Sequence, residues 1–211
     1  MDHDQRTTAS QQQDPVLAAR IVRGIADIER DFYFASGPLS ERMMREAVQA
    51  ISKVATAPWQ IVEAGWSAQV TCVDWKMQRG VGTGDAWLEL TELCTEEEDD
   101  HSWIAAAVKA GPTQMCLELM FRRGLIDFAQ QVIGNDKALA ALWKVGFVRV
   151  EDELRLFIPI DIPAEALALG FEQNDLTKAL APIGKAVELA LSAKAELDKL
   201  VEQVRDLAKR K

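Results

Sequence analysis

Apolar and polar residues alternate along several short stretches of the chain, which is the pattern of β-strands in a sheet with one buried face. The clearest stretch is 113–122, where Met115, Leu117 and Leu119 are separated by Cys116 and Glu118. Strands are predicted at 59–62, 69–77, 86–94, 113–122, 147–150 and 154–160. The last two are expected to pair as a β-hairpin.

Apolar residues recur at helical spacing in the N-terminal part of the chain. Asp14 followed by Pro15 is a favourable helix start, because it combines an N-cap acid with proline at the first helical position. The run 36–38, Ser-Gly-Pro, predicts a break, so the helices on either side of it are expected to form an antiparallel hairpin. Shorter helices are predicted at 101–110, 125–133, 135–146 and 163–170.

These elements predict an α+β fold with a mostly antiparallel central sheet. The core has the order αβββαβ and is followed by the late β-hairpin, with an N-terminal helical hairpin before it and a long C-terminal helix after it. The chain is long enough to bury one full core. We expect a disordered tail at 1–13, the helical hairpin at 14–57, the α+β core at 58–170 and the long helix within 171–211.

The last helical segment, 175–210, carries an apolar seam whose members are separated by steps of four and three, the pattern of a helix that packs along a partner. Pro182 and Gly184 predict a kink or a fresh start within it. The helix is expected either to cover the sheet or to pair with its copy in a dimer. The residues of this seam assigned to the dimer or helix-packing contact are Ile183, Val187, Leu197, Val201 and Val204.

The 211 residues include 33 acids and 24 bases, a net charge of −9. An acidic surface disfavours nucleic acid and anionic membranes, unless a partner supplies the affinity. No apolar run is long enough to cross a bilayer and the first residues resemble no signal peptide, so a cytoplasmic protein is expected. The three cysteines lack metal-ligand spacing and predict buried free thiols of a reducing compartment. No cofactor or metal is predicted.

Charge is concentrated between Asp85 and Asp100, which include eight acids and no base. The part of this stretch with the most acids could bind a basic protein partner or a metal. Acids placed ahead of a helix also fill capping positions and complement the helix dipole, so a purely structural role is the alternative. The residues assigned to partner binding are Glu96, Glu97, Glu98, Asp99 and Asp100.

Three glycines at 80–84 resemble a phosphate-binding loop, but a strand rather than a helix follows them. A hairpin tip is therefore the prediction there, and its role is left open.

The order αβββαβ resembles the core of PD-(D/E)xK nucleases, which implies a divalent-metal site built from two carboxylates and a lysine. The acids that match are Asp74 and Glu89, although Thr91 stands where the lysine is expected. A second mapping takes Glu63 with Asp74 and Lys76. A metal-dependent or inactivated nuclease-like domain is therefore the alternative function.

With the late hairpin and the closing helix included, the same order also resembles small acidic secretion chaperones. That resemblance implies binding of partner polypeptides, a homodimer and no active site. The main prediction is a non-enzymatic interaction, adaptor or chaperone-like protein that acts through its sheet surface and its C-terminal helix.

Overall fold

The structure is a computed structural model and describes residues 14–64, 67–75, 84–94, 102–110, 113–150 and 154–210. Its strands form one sheet and are β1 (Trp59–Ala64), β2 (Ser67–Cys72), β3 (Ala86–Cys94), β4 (Thr113–Phe121), β5 (Val148–Val150) and β6 (Arg155–Pro159). The α-helices are α1 (Pro15–Phe34), α2 (Ser40–Val54), α3 (Trp103–Ala107), α4 (Ile126–Ile133), α5 (Asp136–Trp143), α6 (Ala164–Glu172), α7 (Ala181–Ser192) and α8 (Lys194–Lys209).

The six strands lie in the order β1-β2-β3-β4-β6-β5, and every neighbouring pair is antiparallel. The late hairpin is present, because β5 pairs with β6. The predicted α+β class, with helices ahead of the sheet and a helical C-terminus, is confirmed. β3 has the predicted bounds, whereas β2 ends at Cys72 and continues as a 3₁₀ turn, Val73–Trp75.

One face of the sheet carries the hydrophobic core. The register aligns Ala68, Leu90, Leu117 and Ile158 in a row across four strands, and all four are buried. Residues of α2, α4, α7 and α8 belong to the same cluster. Because strand side chains alternate between faces, the period-two pattern of the sequence was enough to predict this face.

The opposite face has a different composition. Its central row aligns Gln69, Glu89, Glu118 and Phe157. The small apolar cluster on this face consists of Leu93, Cys116 and Phe157 with Val150 packed against them, and all four belong to strands. In the described part of the chain, therefore, the helices of the main core pack on the face that carries Ala68, Leu90, Leu117 and Ile158.

The C-terminal seam packs on the sheet of its own chain. Its five residues are at most 1% exposed and belong to the main core. In this fold the five residues are therefore covered by the same chain, and the predicted homodimer stays a prediction. Pro182 lies in the first turn of α7, as a fresh start requires. A further boundary at Ala193 separates α7 from α8, and neither proline nor glycine marks it.

Between α1 and α2 the backbone remains helical. The segment Ala35–Leu39 forms a π-helical turn, and the flanking Ser40 also has helical angles. Pro38 lies inside it and cannot donate a backbone hydrogen bond, which the wider turn accommodates. The hydroxyl of Ser40 donates to the carbonyl oxygen of Ala35 at 2.6 Å. The predicted break at 36–38 is thus a change of helix type rather than an open turn.

Candidate interaction surface

The N-terminal helix α1 contributes nothing to the core. Its 20 residues give it a length of about 30 Å. Asp14 caps it, since one carboxylate oxygen accepts hydrogen bonds from the backbone nitrogens of Val16 at 2.9 Å and Leu17 at 3.3 Å. None of its residues is buried, whereas the next helix, α2, buries Met43, Ala47 and Ile51 completely.

Five large apolar side chains of α1 share one face. We call this set the α1 stripe, and its members are Leu17, Ile21, Ile25, Ile28 and Phe32. At 100° per residue they fall within an arc of about 80°. Each is between 41% and 50% exposed. Together they leave on the order of 400 Å² of apolar surface in water, the size of the largest apolar patch on a typical monomer, which is often functional.

The charges of α1 are balanced and local. Arg30 pairs with Asp27 at 3.1 Å and with Asp31 at 3.3 Å. Arg20 and Arg23 lie in the N-terminal half of the helix, and Asp27, Glu29 and Asp31 lie in its C-terminal half. Three arginines and three acids leave no net charge. Helices that lie on anionic membranes usually carry a basic polar face, and α1 has no such net positive charge.

Polar contacts hold the C-terminal helix α8 firmly to the sheet. The Lys194 ammonium group donates to Asp74 at 2.8 Å and to Asp198 at 2.7 Å. The other oxygen of Asp198 accepts from the indole nitrogen of buried Trp75 at 2.8 Å. The hydrogen bond from Lys194, together with its charge, lowers the pKa of Asp74. The hydrogen bonds to Asp198 and then to Asp74 raise the pKa of Lys194.

A second anchor of α8 is a buried carboxylate between two arginines. Asp85 accepts from Arg122 at 2.6 Å through one oxygen and from Arg205 at 2.9 Å through the other. Arg205 also donates to the backbone oxygen of Asp74 at 3.3 Å. The sequence placed Asp85 only within the acidic stretch. The pairing was not predictable, because Arg205 lies 120 residues away along the chain.

The structure does not bring the two candidate nuclease carboxylates together. Glu89 lies opposite Gln69 in the β2–β3 register, and it accepts from the indole nitrogen of Trp87 at 2.6 Å and from the Gln69 amide at 3.4 Å. Asp74, five residues beyond Gln69, is more than about 10 Å further along the strand direction. Lys76 lies outside the described residues, as does the side chain of Glu63. Two acids that share one Mg²⁺ must both lie within about 2 Å of it.

The sheet places Glu118 opposite Glu89 on the neighbouring strand, a pairing that sequence analysis missed. Arg155 compensates the charge of Glu118 through two hydrogen bonds, at 2.8 Å from Nε and 2.5 Å from Nη2. This ion pair borders a cleft of about 250 Å³ between the end of β4 and α4, lined otherwise mainly by apolar residues such as Phe121 and Ile126. The alternation of apolar and polar residues in β4 predicted only that the Glu118 side chain lies on the face opposite the core.

The predicted buried thiols are confirmed at Cys72 and Cys116, both of which are free and buried. Burial, with a smaller effect of the Glu118 charge, raises the pKa of Cys116 to about 12. Burial also raises the pKa of Cys72. Since the thiolate is the nucleophilic form, neither group is poised for nucleophilic chemistry.

No family model, curated protein or solved structure matches this chain.

The predicted partner site Glu96–Asp100 lies outside the described residues, so it stays a prediction. Within the described ranges, no group of three or more histidines, cysteines or acids is arranged to hold a metal ion. None of the helices in those ranges is long and apolar enough to cross a bilayer.

Proposed function

We propose that the chain is a non-enzymatic interaction protein of the adaptor or chaperone-like kind, and that α1 is its contact element. One observation carries the proposal: a 20-residue helix with no buried residue presents five half-exposed large apolar side chains on a single face. Helices with such a face bind in grooves or pair with other helices, using side chains at helical spacing as anchors.

This proposal moves the contact away from the C-terminal helix, whose apolar seam is buried in its own chain. In this proposal the sheet and helices α2 to α8 form the folded domain to which α1 is attached. No catalytic step is required of the described residues. The acids suggested for metal binding are instead engaged with protein groups, Asp74 with Lys194 and Glu89 with Trp87 and Gln69.

The test is site-specific photo-crosslinking in cells that naturally express the protein. A photoreactive residue at Ile25 lies within the α1 stripe, and one at Arg23 lies about 160° round the same helix. We expect a covalent adduct with a polypeptide from Ile25, little from Arg23, and loss of the Ile25 adduct when Ile21 and Ile28 are replaced with Asp. Adducts of equal yield from both positions, or none from either, would show that α1 is not the contact element.

A further inference from the structure

We propose that the α1 stripe pairs with the α1 stripe of a second copy in antiparallel orientation. This inference rests on the proposed function and names the partner. The observation behind it is the position of the charges that border the stripe. Arg20 and Asp31 lie on the same flank, since eleven residues bring a helix back to within about 20° of the same direction.

The two charges are symmetric about the centre of the stripe. Arg20 and Asp31 have their midpoint between residues 25 and 26, and Ile25 is the middle member of the stripe. In an antiparallel pair with its two-fold axis at this point, Arg20 of each copy lies beside Asp31 of the other. The same axis places Ile21 within two residues, about 3 Å along the helix, of Ile28 of the second copy, and Leu17 equally close to Phe32. Apolar and ionic contacts therefore share one register.

A parallel pair would not satisfy these charges. It would place the arginines Arg20 and Arg23 beside the same arginines of the second copy and the C-terminal acids beside each other. Parallel pairing would also align the two helix dipoles unfavourably, whereas antiparallel pairing opposes them. The first turn of α1 has no acid and its last turn has no base, so apart from the Asp14 cap its charges do not complement its helix dipole.

The area available suits a modest but specific interface. Two 20-residue helices that bury their stripes remove on the order of 1,000 Å² from water in total, the lower limit for a specific protein interface. Dissociation in the micromolar range is expected, within reach of sedimentation equilibrium at protein concentrations up to about 100 μM.

The test is a charge-swap cycle on the full chain. Arg20→Glu alone places two acids together at each end of the pair, and Asp31→Lys alone places two bases together. Each should weaken dimerisation by roughly 10- to 30-fold, because two ion pairs become two repulsions. The double variant R20E/D31K restores both pairs with reversed sign, and its dissociation constant should return to within about threefold of the wild-type value. Only an antiparallel pair couples these two positions.

Two further variants test the apolar contact. Ile21→Asp combined with Ile28→Asp should abolish the dimer, while Val16→Asp, on the far side of α1, should leave it unchanged. Val16 is 76% exposed, so neither change is expected to perturb the core. Circular dichroism would confirm that each variant is folded.

The outcomes separate the two proposals. A wild type that is monomeric at 100 μM, a dimer that the charge changes leave unaffected, or a double variant weaker than either single one would overturn the antiparallel pairing. If the chain is monomeric but Ile25 still crosslinks to a different polypeptide, the interaction function stands and self-pairing is wrong. If both results are negative, both proposals fail.

Discussion

α1 and α8 are amphipathic helices of 20 and 16 residues in opposite environments. The apolar face of α8 buries Leu197, Leu200, Val201 and Val204, while α1 buries nothing. The ion pairs of α8 also reach far, from Lys194 to Asp74 and from Arg205 to Asp85. The ion pairs of α1 within the described residues join Arg30 only to its neighbours. An apolar stripe indicates that a helix face packs against another surface. The polar contacts of the helix indicate whether that surface belongs to the same chain.

The largest difference in stability is expected when an apolar residue is replaced with aspartate, once in α8 and once in α1. Val201→Asp places a charge at a position that is 1% exposed and should cost more than about 3 kcal/mol of the free energy of unfolding, enough to unfold a marginal domain. Ile25→Asp in the α1 stripe should change the stability of the monomer by less than about 0.5 kcal/mol. Urea unfolding followed by circular dichroism, at protein concentrations low enough to prevent dimerisation, measures both. An equal loss for both variants would mean that α1 packs in the core.

A second contrast compares two aspartates that pair with arginine. Asp85→Asn leaves Arg122 and Arg205 without their buried counter-ion and should cost about 3 kcal/mol. Asp27→Asn removes an exposed pair with Arg30 on α1 and should cost well under 1 kcal/mol. Urea unfolding of the two variants gives both values. A small loss for Asp85→Asn would indicate that the ion pairs of Asp85 with Arg122 and Arg205 contribute little to holding α8 in place.

Local patterns predicted much of this fold. The alternation in β3 and β4 and the cap of α1 follow from neighbouring residues, and the structure places Asp14 as that cap. The boundary at Ala193 was not predictable, because it comes from packing rather than from a breaking residue. The π-helical turn at Ala35–Leu39 was missed for a related reason: a Ser-Gly-Pro run reads as a break unless tertiary contacts keep it helical.

The sequence predicted that α1 has an apolar face, but it did not predict that this face is exposed. The spacing from Leu17 to Phe32 predicted an apolar helical face, yet the seam of the C-terminal helix showed the same kind of spacing. Which face is covered depends on contacts between residues more than a hundred positions apart, such as Trp75 with Asp198. A single sequence does not specify those pairs. The balance of charge along α1, with Arg20 and Asp31 on one flank, is the sequence feature on which the proposed pairing rests.

A smaller contrast is expected from two glycines. An added Cβ at Gly84 would lie 2.9 Å from the backbone oxygen of Trp75, so Gly84→Ala must shift the backbone beside the α8 anchor. It should cost about 1–3 kcal/mol. At Gly24 in α1 an added Cβ would meet only the Cδ1 atom of Ile28, at 3.9 Å. Gly24→Ala should raise the helical signal at 222 nm, since alanine favours a helix by up to about 1 kcal/mol. Destabilisation by both variants would show that α1 is constrained.

The smallest effect concerns the pH dependence of the α8 anchor. The lowered pKa of Asp74 means that its contribution is fully present above its ordinary value of 3.8 and is lost as pH falls through the lowered value. The raised pKa of Lys194 means that its contribution is fully present below 10.5 and is lost as pH rises through the raised value. The stability difference between wild type and Lys194→Met should therefore be constant from about pH 5 to 10 and shrink on both sides.

Thermal unfolding of the wild type and the variant across this range gives the difference directly. Arg30→Met is the matched control, because Arg30 pairs only with exposed acids of α1 among the described residues. That variant should follow the wild type at every pH, since melting of the core does not involve α1. A difference for Lys194→Met that persists unchanged at pH 2 would mean that Lys194 stabilises α8 through its aliphatic stem rather than through Asp74 and Asp198.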